Sequence, residues 1–137
     1  MKKYIFSVIL LLVTCSVVSA SKVPDNCVCE ITARVISAKE EPVKKDEFQK
    51  QDLTSVFLEI EITKVGSMLR KGDDPEMTCE QYKIGEKITL NTIKERDFID
   101  KNIIIKPGII IKGNIEYTGD ERGTWYFLDK IGLANGQ

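Results

Sequence analysis

Val56-Phe57-Leu58-Glu59-Ile60-Glu61-Ile62-Thr63 settles the structural class of this protein. Val56, Leu58, Ile60 and Ile62 share one parity, while Phe57, Glu59, Glu61 and Thr63 share the other. That is the period of a strand with one face in a core and the other toward water. A helix would scatter the same residues around its circumference. The strand reaches Val65, where Gly66 punctuates it.

On both sides of this segment the same period recurs. Ile31, Ala33 and Val35 alternate with Thr32 and Arg34 in a first strand running to about Ala38. Lys87 to Asn91 forms a third strand, after the turn-forming Ile84-Gly85-Glu86. In a fourth, from about Gly108 to Tyr117, Ile109, Ile111, Ile115 and Tyr117 oppose Lys112, Asn114 and Glu116, and Gly113 predicts a bulge or sharp coil. Thr124 to Leu128 is the fifth, joined to the fourth as a hairpin through the turn-rich Thr118 to Gly123. Lys94 to Lys101 fits one short helix with Phe98 and Ile99 on one side, and Pro107 closes it off. Segments 39–52 and 71–80 are polar and read as solvated loops. Five strands with a helix between the third and fourth is the element order of an all-β, five-stranded OB-fold, a small Greek-key barrel. Its expected core includes Leu58, Ile60, Ile62, Ile109, Ile111 and Ile115.

The chain has 137 residues, four cysteines and no histidine. Lacking histidine, it lacks the commonest general base, the usual activator of a nucleophile and the commonest metal ligand. Carboxylate pairs exist at Asp97 and Asp100 and at Asp120 and Glu121, but acids at turns and helix ends read as solvated surface. An enzyme is therefore not expected. Trp125, Tyr126 and Phe127 are consecutive, so alternation sends them to both faces of the last strand.

The opening Met1-Lys2-Lys3, an apolar run from Tyr4 to Val18, and Val18-Ser19-Ala20 have the layout of a secretory signal peptide, residues 1–20, cleaved after Ala20. A single domain, 21–137, follows. A spanning helix needs roughly 20 apolar residues, more than this run supplies, so no membrane span is expected after cleavage. Leu12-Val13-Thr14-Cys15 loosely resembles a bacterial lipobox, with Thr14 where that motif wants glycine, alanine or serine. Cleavage removes two lysines and no acid, shifting the net charge from −1 to −3. A secreted domain, extracellular or periplasmic, with that charge and with Glu59 and Glu61 on its second strand is not expected to bind nucleic acid.

Cys27, Cys29 and Cys79 remain, an odd number in an oxidising compartment. Cys27-Val28-Cys29 is a C-x-C, and no histidine or further cysteine completes a tetrahedral metal shell, so a disulfide from Cys79 to Cys27 or Cys29 is expected, with no metal and no cofactor. Residues two apart in an extended segment face the same way, so both thiols look toward one neighbour and only one can bond to it. Such a bond would hold Cys27-Val28-Cys29-Glu30 beside the loop Met68 to Cys79. The expected partner surface is built there, with Val28 as apolar anchor and Met68 and Leu69 extending it.

Cys27-Val28-Cys29-Glu30 running into Ala33-Arg34-Val35-Ile36-Ser37-Ala38 resembles the start of netrin-like domains and of tissue inhibitors of metalloproteinases. The similarity continues in Phe57 to Val65, in Arg70-Lys71-Gly72, in Cys79, in Ile88-Thr89-Leu90 and in Pro107-Gly108-Ile109-Ile110-Ile111-Lys112-Gly113. The resemblance implies a monomeric, non-enzymatic domain that binds another protein, with metalloprotease inhibition as the sharpest form. In those inhibitors the first cysteine of the C-x-C is the mature N-terminus and chelates the protease zinc through its amine and carbonyl. By position, Cys27 would be the chelator, Val28 the pocket residue and Cys29 the second anchor. Cleavage after Ala20 leaves Ser21 to Asn26 ahead of Cys27, so that chemistry needs a second trimming at Asn26. The alternative is a periplasmic or cell-surface OB-fold domain that binds a small ligand or saccharide.

Overall fold

The computed structural model describes residues 26–48 and 51–134; the expected signal peptide, Cys15 and the cleavage site lie outside them. Five strands form one antiparallel sheet: β1 (Val28–Pro42), β2 (Thr54–Arg70), β3 (Lys87–Ile93), β4 (Ile110–Asp120) and β5 (Gly123–Leu133). A 3-10 turn (Cys79–Gln81) precedes β3, and the four-residue helix α1 (Lys94–Asp97) follows it. The strand order is β3-β2-β1-β4-β5, and β3 and β5 lie against each other, which curls the sheet into an OB-type barrel. Among the described residues no helix is long and apolar enough to cross a membrane.

The alternation in β2 has the predicted effect. Val56, Leu58, Ile60 and Ile62 are buried with Ile31, Ala33 and Val35 from β1, Ile88 and Leu90 from β3, Ile111 and Ile115 from β4, and Leu128 and Ile131 from β5. Ile109 departs from expectation: it lies just ahead of β4 and is only half-buried. Arg34 and Glu61, on the opposite parity, meet across β1 and β2 in an ion pair of 2.8 Å.

Several boundaries shift for identifiable reasons. Gly66 does not end the second strand, because Gly66 and Ser67 together oppose the single residue Glu30, and this bulge lets β2 continue to Arg70. Met68 and Leu69 consequently belong to a strand end and not to a loop. Leu69 is itself an extra residue, since Arg70 pairs with Val28 and Met68 with Cys29, so the two consecutive side chains both reach solvent. The first strand runs past Ala38 to Pro42, paired to Thr54, so part of segment 39–52 is a hairpin arm and not irregular loop.

The helix stops at Asp97. Phe98 turns inward to bridge Ile131, while Ile99 stays 61% exposed and not beside it. Asp97 corrects the expectation of solvated acids. It is 1% exposed, accepts the Ile93 backbone N–H at 2.7 Å and pairs with Arg96, whose guanidinium also lies over the Phe127 ring at 5.5 Å. Gly113 is indeed at an irregularity, but the extra residue sits opposite it in β5, near Lys130, whose φ is 52°.

Candidate functional site

One end of the barrel gathers the start of β1, the end of β2 and the 3-10 turn. Val28 pairs with Arg70 on one side and Glu116 on the other, and Cys29 lies between Met68 and Ile115. A strand flanked on both sides sends alternate side chains inward, and Cys27 and Cys29 both point into the core. Cys29 is bonded to Cys79 with Cα atoms 5.7 Å apart, which fastens the 3-10 turn to the middle of the sheet. Cys27 keeps a free thiol, its sulfur 3.6 Å from that of Cys29.

Of the expected surface residues, Cys27 and Cys29 are thus interior. Val28 is half-buried, and Glu30 is exposed, with a carboxylate oxygen 3.0 Å from where a Cβ on Gly66 would stand. Met68 and Leu69 are 41% and 50% exposed. The disulfide brings a further apolar side chain to the same end: Ile84, 74% exposed, beyond the turn that Cys79 begins. An open cavity of about 620 Å³ is lined by Val65, Gly66, Cys79, Tyr82 and Ile84, with Glu80 and Lys83 supplying one charge of each sign.

Two residues outside the expected surface, Arg70 and Tyr82, shape this end. Arg70 donates to the Asn26 carbonyl at 3.0 Å and to Glu116 at 3.1 Å, while the Asn26 amide donates to the Thr118 hydroxyl at 3.2 Å, so the chain entering Cys27 is tied on both sides. Burial pushes the Cys27 thiol up, and Arg70 pulls it partway back. Tyr82 is buried beside Tyr126, ring centroids 6.3 Å apart, and its phenol has no hydrogen-bond partner among the described residues. Burial, reinforced by Tyr126, Cys27 and nearby carboxylates, raises its ionisation well above the ordinary range. The signal for Tyr82 was its place three residues after Cys79, between the expected loop 71–80 and the turn at Ile84-Gly85-Glu86.

The outer face of β2 and β3 is different in character. Phe57, 42% exposed, sits with Lys39, Glu59 and Thr89 around a shallow depression of about 170 Å³. Trp125 is exposed, and Tyr126 and Phe127 are half-buried, so none of the three consecutive aromatics is a full core residue.

No family model, no curated protein and no solved structure matches this chain.

Proposed function

We propose that this chain is an exported, non-enzymatic domain that binds another protein with the disulfide-tied end of its barrel. The observation that carries the reading is exposed Ile84 on the rim of an apolar cavity, beyond a turn crosslinked to β1 through Cys29 and Cys79, with exposed Met68 and Leu69 on the end of β2 just past the lining residues Val65 and Gly66. Apolar side chains held on a rigid frame lose little entropy on docking, and such anchors dominate interface energetics. Metalloprotease inhibition remains the sharpest form of the proposal. It would use Met68, Leu69 and Val28 as contacts, because Cys27 is buried and Asn26 is tied to Arg70 and Thr118. The second reading, a saccharide or small ligand on the β2–β3 face, is favoured by exposed Phe57 beside Lys39, Glu59 and Thr89.

The test starts from a protein captured by crosslinking to the exported chain. Leu69→Asp and Ile84→Asp should each weaken its binding at least tenfold while the melting temperature holds, since an interface must desolvate the new carboxylate. Normal binding by both variants, with loss in Phe57→Ala, would transfer the function to the barrel face.

A further inference from the structure

The sulfurs of Cys27, Cys29 and Cys79 lie within 4.8 Å of one another, and the free thiol is 3.6 Å from a disulfide sulfur. A thiol next to a disulfide is a reactant pair, because a thiolate attacks a disulfide sulfur through a roughly linear arrangement and expels the other. Cys27 flanks the bond and does not lie on its axis, so it must first turn about its own Cα–Cβ bond. It precedes β1 and is outside the ladder that holds Cys29.

We infer that Cys27 is the attacking thiol of an internal thiol–disulfide exchange that passes the free thiol to Cys79, making Cys79 the position where a low-molecular-weight disulfide couples to this protein. The Cys27 thiolate attacks the Cys29 sulfur; the Cys27–Cys29 bond forms, the Cys29–Cys79 bond breaks, and its electron pair leaves on the Cys79 sulfur. The proton given up by Cys27 returns to Cys79 through solvent, and no oxidant is consumed. The outcome differs from the resting state in access. Cys27 is 2% exposed, whereas Cys79 is half-buried and lines the open cavity beside Tyr82 and Ile84. Attack on the Cys79 sulfur would instead free Cys29, which has no exposure at all and is silent to reagents.

A bond between residues two apart departs from preferred disulfide geometry, so the exchanged form is a minor population that reverts unless it is trapped. Trapping occurs when the Cys79 thiolate attacks a small disulfide, forming a mixed disulfide at Cys79 and releasing one small thiolate. Burial holds the Cys27 thiol protonated at neutral pH, with Arg70 opposing, so the first step quickens as pH rises.

The experiment uses the oxidised full chain carrying Cys15→Ser, incubated without reductant in excess glutathione disulfide, quenched in acid and mapped as non-reduced peptides. Glutathione is expected on Cys79 together with a Cys27–Cys29 bond. Its rate should rise about tenfold per pH unit below the thiol's ionisation, and should be unchanged on tenfold dilution of the protein. Adding Cys27→Ser should remove the Cys79 adduct. Glutathione on Cys27 with Cys29–Cys79 intact, no adduct in the folded protein, or an adduct on Cys79 that persists in Cys27→Ser would each overturn the inference.

Discussion

One carboxylate oxygen of Glu95 accepts the backbone N–H of Thr54 at 2.6 Å, and the other accepts the Thr54 hydroxyl at 3.1 Å. The first residue of β2 is thereby fastened to α1, 41 residues further along the chain and past the whole of β2 and β3.

That contact sets an acid sensitivity. Burial alone would raise the Glu95 carboxyl, but the hydrogen bonds from Thr54, aided by Lys94, hold it below the usual carboxylate range. A carboxyl lowered in the folded state contributes its stability above the unfolded value of about 4.3 and loses it as pH falls through the lower folded value. Glu95→Gln should therefore be less stable than the parent at pH 7 and should lose less on acidification below about pH 4.3. Urea midpoints across pH 7 to 3 measure this; parallel profiles would remove Glu95 from the acid response.

Core truncations should follow burial. Ile60 has no exposure, so Ile60→Ala is expected to cost about 2–5 kcal/mol. Ile109→Ala, at a half-buried site, should cost less than half as much. Denaturant unfolding of both variants orders them, and equal losses would contradict the packing described.

Cys79→Ser removes a crosslink spanning 50 residues. The chain-entropy account gives about 4 kcal/mol for such a loop, and measured losses run about 2–4 kcal/mol. Segment 71–78, which Cys79 fastens to β1, should also become the first site of limited proteolysis. Unchanged stability together with unchanged cleavage would mean the bond contributes nothing to holding that segment.

Gly113→Ala tests the irregularity in β4. A Cβ there would stand 3.0 Å from the Asp129 carbonyl oxygen and 3.0 Å from a Leu128 methyl. The first belongs to backbone and cannot swing away, so about 1–3 kcal/mol of destabilisation is expected. A variant as stable as the parent would show that β5 shifts freely at its bulge.

Leu58, Ile60 and Ile62 were legible because alternation survives wherever the ladder is regular. Met68 and Leu69 were found as apolar residues but misplaced in a loop, since nothing local shows that Leu69 is an extra residue opposite β1. The buried state of Asp97 was equally hidden: an acid is tolerated there because the Ile93 N–H and the Arg96 guanidinium converge on it, and neither convergence is a spacing rule. For the cysteines, shared orientation of Cys27 and Cys29 was readable, but the choice of Cys29 by Cys79 depends on how β1 sits against β2. Ile84 joined the site only through that same bond.

β1 outruns its neighbour β4. Pairing between them ends at Arg34, with a last exchange of hydrogen bonds between Val35 and the Gly108–Ile109 turn, while β1 continues to Pro42. Among the described residues no strand pairs with that side of β1 beyond Val35, which leaves a rim of main-chain donors and acceptors, the kind of edge onto which another chain can add to a growing sheet. What stands along it is Lys39 paired with Glu41, Glu40 paired with Lys94, and a terminal proline. Charged side chains and a residue without an N–H deter that growth. The guard against edge-to-edge association therefore sits in a few residues on the arm of a hairpin, apart from the core that keeps the protein folded.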